Sequence, residues 1–476
     1  MNHHPSFISP GFKSNSQECD IPVLDVSGTI PEWVDGFLLR NGPGMVHADK
    51  PMRHWFDGLA MLHQFKIKQG GVSYKSRFID CVAYRSFKDT GKFLYSDFAT
   101  DPCRSLFAKI QTLFSKDPMI TDSAKVNVGY MNGGTYALGE PIMQIRIDPE
   151  TLQTLGVFDY GLTARSRMTT AHPHHDHGVS YNLVVEYGPI NHYSIYRMGA
   201  ESKKIASVPV YEPGYMHSFG MSERYFIIAE SPLVVQSLKL AFRFKPFIEN
   251  FKWKPGNGSR FILIDRATGK KAAVIPCDPF FTFHHVNAFE KDGSLTVDMV
   301  TYEDASIVDR YYVNRLEETD NQLPKGRLER FVMDPERAIL KSRKIISEEC
   351  MELPHIDYHM CHGDPDYRYV YACGIDSGHP EGFYNQLVKV DVETGQHLKW
   401  SQTGCYPGEP VFISSPNASA QDHGVLLSVV LDPAENNSFL LVLDASDMTE
   451  IARARVPHTI PFGYHGTFIE TQQQNA

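Results

Sequence analysis

Histidine is the chemically suggestive residue in this chain, with 21 among 476 residues. Four separated segments carry it between glycines and aromatics: TTAHPHHDHG with His172, GYMHSFG with His217, FFTFHHVNAFE with His284 and His285, and PFGYHGTF with His465. One such histidine alone is ordinary in a core or on a surface, and HPHHDH also reads as a solvated loop. Four together point to a metal, because neutral imidazole is the commonest protein ligand and suits iron, zinc, copper or nickel without thiolates. Ligand type alone does not choose among these metals. A ligating imidazole needs an acceptor on its other ring nitrogen to fix its tautomer, so carboxylates near strand ends are the expected partners. Glu140 in TYALGEP, Glu352 in MELPHIDY and Glu409 in YPGEPVF stand in apolar or turn-rich settings that suit this role, although each taken singly is also compatible with a surface glutamate.

Other chemistries lose support. The chain has no phosphate-binding glycine loop, no dinucleotide fingerprint, no H-E-x-x-H and no G-x-S-x-G. Its 46 basic and 56 acidic side chains give a net charge of -10, which argues against nucleic acid as a general partner. Eight scattered cysteines form no C-x-x-C pair, as expected for a reducing compartment. The N-terminal residues show no apolar signal-like stretch and no run approaches a membrane span, so the reading is cytoplasmic. Asn257-Gly258-Ser259 and Asn417-Ala418-Ser419 then mark surface loops only.

The elements that must position these residues are strands. Seven times a short apolar or alternating run ends at a turn, near residues 67, 148, 198, 265, 334, 391 and 444. Runs bounded in this way are hairpins, and seven at irregular spacing fit the blades of an all-β, seven-bladed β-propeller carrying insertions. Two stretches break the pattern. Residues 101–116 (DPCRSLFAKIQTLFSK) place Leu106, Phe107, Ile110, Leu113 and Phe114 at helical spacing among Arg104, Lys109 and Lys116. Residues 233–253 mix Leu238, Leu240, Phe242, Phe244 and Phe247 with Lys239, Arg243 and Lys245. Both are expected as a helical or loop dome over one propeller face, packed on a core or docked on an anionic bilayer.

The motifs RNGPG, HWFDGLAMLH, TAHPH, HSFGMSE, FHHVNAFE, YPGEPVF and FGYHGTF, running from Pro31 to Phe468, resemble the carotenoid cleavage oxygenase family. TDPCR and FHHVN are most similar to its animal branch of β-carotene oxygenases and retinoid isomerase. The resemblance implies a single propeller domain over residues 31–468, an N-terminal extension over 1–30 and a tail over 469–476. It also implies one Fe(II) per chain on the propeller axis, held by His172, His217, His284 and His465. Glu140, Glu352 and Glu409 would brace His217, His284 and His465 respectively, leaving His174, His175, His177 and His285 as neighbours. One departure stands out: Thr100-Asp101-Pro102-Cys103-Arg104 lacks the usual lysine continuation, which puts lipidation of Cys103 in doubt.

The implied activity is cleavage of a conjugated carbon-carbon double bond of a carotenoid or apocarotenoid by O2, giving two carbonyl products. Retinoid isomerohydrolysis and stilbene cleavage are alternatives within the family, and a non-catalytic binding scaffold is an alternative outside it. A polyene offers almost no hydrogen-bonding capacity, so apolar walls must select it, with Phe280, Phe281 and Phe283 as lining candidates. A water-insoluble substrate would give the segments 101–116 and 233–253 a reason to meet a membrane surface, as a peripherally associated protein. No protein partner is indicated.

Overall fold

The computed structural model describes all residues except 1–8, 16, 48–49, 102–119, 159, 162–166, 200, 243–244, 319–321, 379–381 and 472–476. The side chains of residues 241–242 are also outside the described set. The expected helix over 101–116, with Cys103, therefore lies outside the described residues apart from Asp101.

Seven antiparallel sheets make the seven blades. Every expected turn, from residue 67 to residue 444, falls at the same place in its blade, between the third and fourth strands counted from the axis. Five of these turns follow an aspartate, and the reason is local. The carboxylate accepts backbone N–H groups two or three residues on, as Asp148 does from Glu150 and Thr151 and Asp391 from Glu393 and Thr394. Such Asx turns offer the backbone a partner just where the ladder ends. Other hairpins use Asn132-Gly133 and Asp292-Gly293, each pair with positive φ (50° and 70°, 51° and 72°), the conformation whose twist matches that of the flanking strands.

The core is a series of wedges between neighbouring blades. Leu38 and Phe65 of the first blade meet Val425 and Leu440 of the seventh, and Ile227 and Leu263 of the fourth meet Val297 and Phe331 of the fifth. The largest cluster joins the fifth to seventh blades to aromatic residues above the axis, including Trp55, Phe98, Tyr311 and Phe462. Strand alternation turns one set of side chains into each wedge, so every blade is covered on both faces.

The ends of the described chain close the ring. The strand Gly466–Glu470 pairs with Gly36–Met45 as the innermost strand of the first blade, with Arg40 opposite Gly466. Gly466 has to be glycine here, since a Cβ would lie 2.2 Å from the carbonyl oxygen of Leu39. Residues 19–28, expected as part of an extension, instead add outermost strands to two blades: Cys19–Ile21 to the first and Asp25–Gly28 to the seventh. The closing strand also runs to Glu470, beyond the expected limit at 468.

Residues 233–253 are not one helix. Leu233–Val234 pairs with Lys252–Trp253, and the helix Ser237–Phe242 and a 3₁₀ turn at Ile248–Asn250 lie between them. Among the described residues no helix is long and apolar enough to cross a membrane.

Candidate metal centre

Each blade sends one residue to the axis. His465 comes from the first, Glu140 from the second, His172 from the third, His217 from the fourth, His284 from the fifth, Glu352 from the sixth and Glu409 from the seventh. Their backbones are held by neighbouring strands. The N–H of His465 donates to the carbonyl of Val126 (3.1 Å) and its carbonyl accepts from Asn41 N–H (3.0 Å). His284 sits where the pairing register of the strand Phe281–Lys291 shifts between Thr282 and His285. Such an irregularity re-aims side chains, and here it sends two consecutive histidines to different partners: His284 to the axis and His285 to Ser218 Oγ (2.8 Å).

The Nε2 atoms of His172 and His217 are 3.2 Å apart, those of His284 and His465 are 3.1 Å apart, and all four ligand atoms lie within 4.8 Å of one another. The Nδ1 atoms point the other way. That of His217 meets Glu140 Oε1 at 2.8 Å, that of His284 meets Glu352 Oε2 at 2.5 Å and that of His465 meets Glu409 Oε1 at 2.7 Å. With the ring N–H committed to carboxylate, each Nε2 presents a bare lone pair. Lone pairs facing one another at this distance repel, and a cation between them turns repulsion into ligation. An ion about 2.1 Å from each nitrogen spaces adjacent ligands by about 3 Å, which is the spacing found.

Burial favours the neutral form of His172, His217 and His465, the form that ligates. Burial pushes His172 and His465 well below the usual histidine range, and the neighbouring imidazoles add to the effect. Burial also lowers His217, against the opposing pull of Glu140. Glu352 is buried too, but His284, the N–H of Leu353 and Tyr302 outweigh that cost and hold its carboxyl below the ordinary value.

The glutamates are braced in turn. Tyr215 donates to Glu140, Tyr302 to Glu352 (3.0 Å), and Arg40 to Glu409 (2.6 Å), while the other Arg40 nitrogen reaches the carbonyl of Tyr464 (2.7 Å). Sequence reasoning missed these three braces; the RNGPG motif carried Arg40 into view without showing what it holds. Among the described residues no carboxylate bonds to His172.

The other histidines are elsewhere. His174 bonds Tyr358 and the carbonyl of Phe219, His175 bonds Ser180, and His177 is exposed. Of the three nominated phenylalanines only Phe283 lines the cavity above the histidines. Phe280 is instead buried in the wedge between the fourth and fifth blades, and Phe281 packs behind Phe283 at 4.8 Å between ring centroids. Consecutive strand residues face opposite ways, so the run Phe280 to Phe283 could not all share one wall.

That cavity has a volume of about 520 Å³, and His217, His284 and His465 lie along it. Trp55, Phe56, Phe98, Phe247 and Tyr311 form much of the rest of its wall. Phe56 lies nearly parallel to the His217 ring, at 14° and 6.3 Å. At the dome side Leu238 lines the cavity while remaining 73% exposed. The same rim holds two further exposed apolar side chains that sequence reasoning did not single out. Asn191 joins them, accepting from Ser237 Oγ and donating to the carbonyl of Tyr211, with Ile190 beside it. Ile190 is 66% and Tyr211 91% exposed.

Known proteins share this architecture. The chain is 32% identical to the mitochondrial carotenoid-cleaving dioxygenase of Mustela putorius furo, over 97% of this chain and 96% of that one. It is 33% identical to the beta,beta-carotene 15,15'-dioxygenase of Mus musculus, over 98% and 92%. The solved structure of a cobalt-substituted Synechocystis apocarotenoid oxygenase superimposes with a TM-score of 0.87 at 28% identity, covering 98% of both chains. The family model described as retinal pigment epithelial membrane protein matches residues 12–470. With a seven-bladed ring, four converging imidazoles and a family match running through nearly every strand, this chain belongs to the carotenoid oxygenase family.

Proposed function

We propose that the protein is a non-haem iron dioxygenase that cleaves a conjugated double bond of a carotenoid or apocarotenoid with O2, releasing two carbonyl products. The observation that carries this reading is the convergence of four imidazoles, three of which line a largely apolar cavity. His172, His217, His284 and His465 would hold the iron, with Glu140, Glu352 and Glu409 fixing three of them. When bound, Fe(II) supplies a redox-active Lewis acid with room for O2 beside the alkene. Imidazole ligands carry no formal negative charge and would leave the ion its full charge.

The chain's own work is positioning. Glutamate-bound Nδ1 atoms lock ring orientation, so the ligands need no rearrangement during turnover. Phe56, Phe283 and Tyr311 exclude water and confine a rigid polyene, whose alignment then decides which bond faces the histidines. No general acid is required by the proposed cleavage, and the tyrosines near the centre suit that: burial pushes Tyr215, Tyr302 and Tyr464 well above the usual phenol range.

The same rim supports membrane docking as part of this reading. Leu238, Ile190 and Tyr211 are exposed, and Lys239 and exposed Lys245 stand in the same dome segment as Leu238, a combination suited to an anionic bilayer surface from which a greasy substrate can enter.

The test is metal analysis followed by aerobic incubation of iron-loaded protein with β-carotene and with an apocarotenal in detergent, reading polyene absorbance and product masses. One iron per chain and aldehyde products support the reading. Turnover of a retinyl ester without oxygen uptake would replace it with isomerohydrolase chemistry, and absence of stoichiometric metal would leave a binding scaffold.

A further inference from the structure

One stretch of the cavity wall is polar. Asp97 and Lys125 both line it, at 8% and 5% exposure, together with Thr121 and Ser123. The Lys125 ammonium holds both Asp97 oxygens, at 2.6 and 2.8 Å. Asp97 is fixed independently by the N–H groups of Gly58 (2.9 Å) and Phe98 (2.9 Å). Behind it Asp57, fully buried, accepts from Ala99, Thr100 and His54. Ion pairs in such surroundings seldom stabilise a fold more than an apolar pair of the same shape would. In a cavity whose lining is mainly apolar, a buried ion pair is better explained by what it faces.

We infer that Lys125 and Ser123 form an oxygen-recognition subsite, selecting a polyene whose end carries an aldehyde or hydroxyl group over a plain hydrocarbon. The inference deepens the proposed function and rests on it. Two donors are available for a substrate oxygen. Of the three ammonium N–H groups of Lys125, Asp97 takes two, and Ser123 Oγ already accepts from Ala60 N–H (2.7 Å), so its own proton can be given. The subsite sits close to the metal centre along the chain, since Val126, next to Lys125, is the residue whose carbonyl holds His465 N–H. Charge decides between classes of oxygen. Asp97 neutralises Lys125, and Asp57 and Asp101 add no positive charge, so the patch suits a neutral carbonyl or hydroxyl and disfavours a carboxylate. A hydrocarbon end placed here would leave the ammonium desolvated without a new partner, the kind of mismatch that discriminates strongly between substrates.

The experiment compares kcat/KM for an apocarotenal, the corresponding apocarotenoic acid and β-carotene, using the iron-loaded full chain. Wild-type protein is expected to prefer the aldehyde over β-carotene by at least tenfold and to disfavour the acid. The double variant Lys125→Met with Asp97→Asn removes both charges together and leaves neither unpaired. It should lower the aldehyde-to-hydrocarbon ratio by roughly 10- to 100-fold, mainly through KM, as expected for loss of a hydrogen bond from a charged donor. Anaerobic binding of the aldehyde gives a readout that a purely structural pair would not move: a red-shifted polyene band in wild-type protein and none in the variant. A ratio unchanged in a folded, iron-replete variant overturns the inference, and so does a wild type that favours the hydrocarbon, which requires no variant to fold. Cleavage of none of the polyenes by wild-type protein would instead sink the proposed function.

Discussion

The two ends of the cavity are built in opposite ways. At the axis, seven residues from seven blades converge, six of them joined in three histidine-glutamate pairs, and each glutamate is tied to a tyrosine or an arginine. At the rim, short segments between Leu233 and Trp253 bury Leu233, Val235, Ile248 and Phe251 in the core and leave Leu238 73% exposed. The axial end is cross-tied by hydrogen bonds; the rim is assembled from pieces a few residues long. The metal cage therefore depends on the ring as a whole, whereas Leu238 at the described rim comes from an insertion in the fourth blade.

Breaking the axial end should have the largest effect. His284→Ala removes one ligand and leaves Glu352, 2% exposed, without its imidazole. Metal stoichiometry should fall from one to near zero, cleavage by more than about 10³-fold, and stability by about 3–5 kcal/mol, the range for removing one partner of a buried pair. Atomic absorption and thermal unfolding check this, and retained iron would break the comparison. Glu352→Gln is milder because the ligand itself stays. Metal affinity or activity should drop about 10- to 100-fold, as for other partners of ligating histidines, with the fold intact; chelator competition measures it.

A third prediction separates the fold from the metal centre. Burial lowers His54 and His63, both outside the cage, to about 3. An unfolded histidine takes up its proton near pH 6.5, so below that value only the unfolded chain binds these protons and stability falls as the pH falls toward 3. Between pH 7 and 5 each should cost about 2 kcal/mol. The loss should appear in denaturant unfolding of metal-free protein and be reduced in His63→Gln; a flat profile would show that neither histidine is buried neutral. The smallest effect belongs to the rim. Leu238→Ser with Ile190→Ser should weaken partitioning onto anionic liposomes about tenfold through lost apolar burial, with metal content unchanged. Equal partitioning would assign those side chains another role.

Much of this was legible in the sequence, and the reason is locality. An apolar run followed by an aspartate, or by a glycine-containing turn as after Ile67 and Met198, is a complete local instruction, so all seven hairpins could be read in order. The four histidines stood out through their glycine and aromatic neighbours. Choosing between His284 and His285 depends on a register shift in the strand, which no single residue type encodes. Cys19–Ile21 carries no buried face, so its pairing with the first blade left no hydrophobic signature. Lys125 and Asp97 carry no motif of their own, because their meeting requires two segments 28 residues apart to fold against the same cavity.

The closing strand sets an order of events during synthesis. His465 stands immediately before Gly466–Glu470, the strand that pairs with Gly36–Met45 from the start of the ring. A ribosome delivering this chain exposes the other three histidines and all three glutamates, including Glu409, the partner of His465 itself, before the fourth histidine emerges. Until then the first blade lacks its inner strand and the cage lacks one wall. Ring closure and completion of the four-histidine set are thus the same late step, and a chain interrupted between residues 285 and 464 would be an open arc of blades with three of the four histidines.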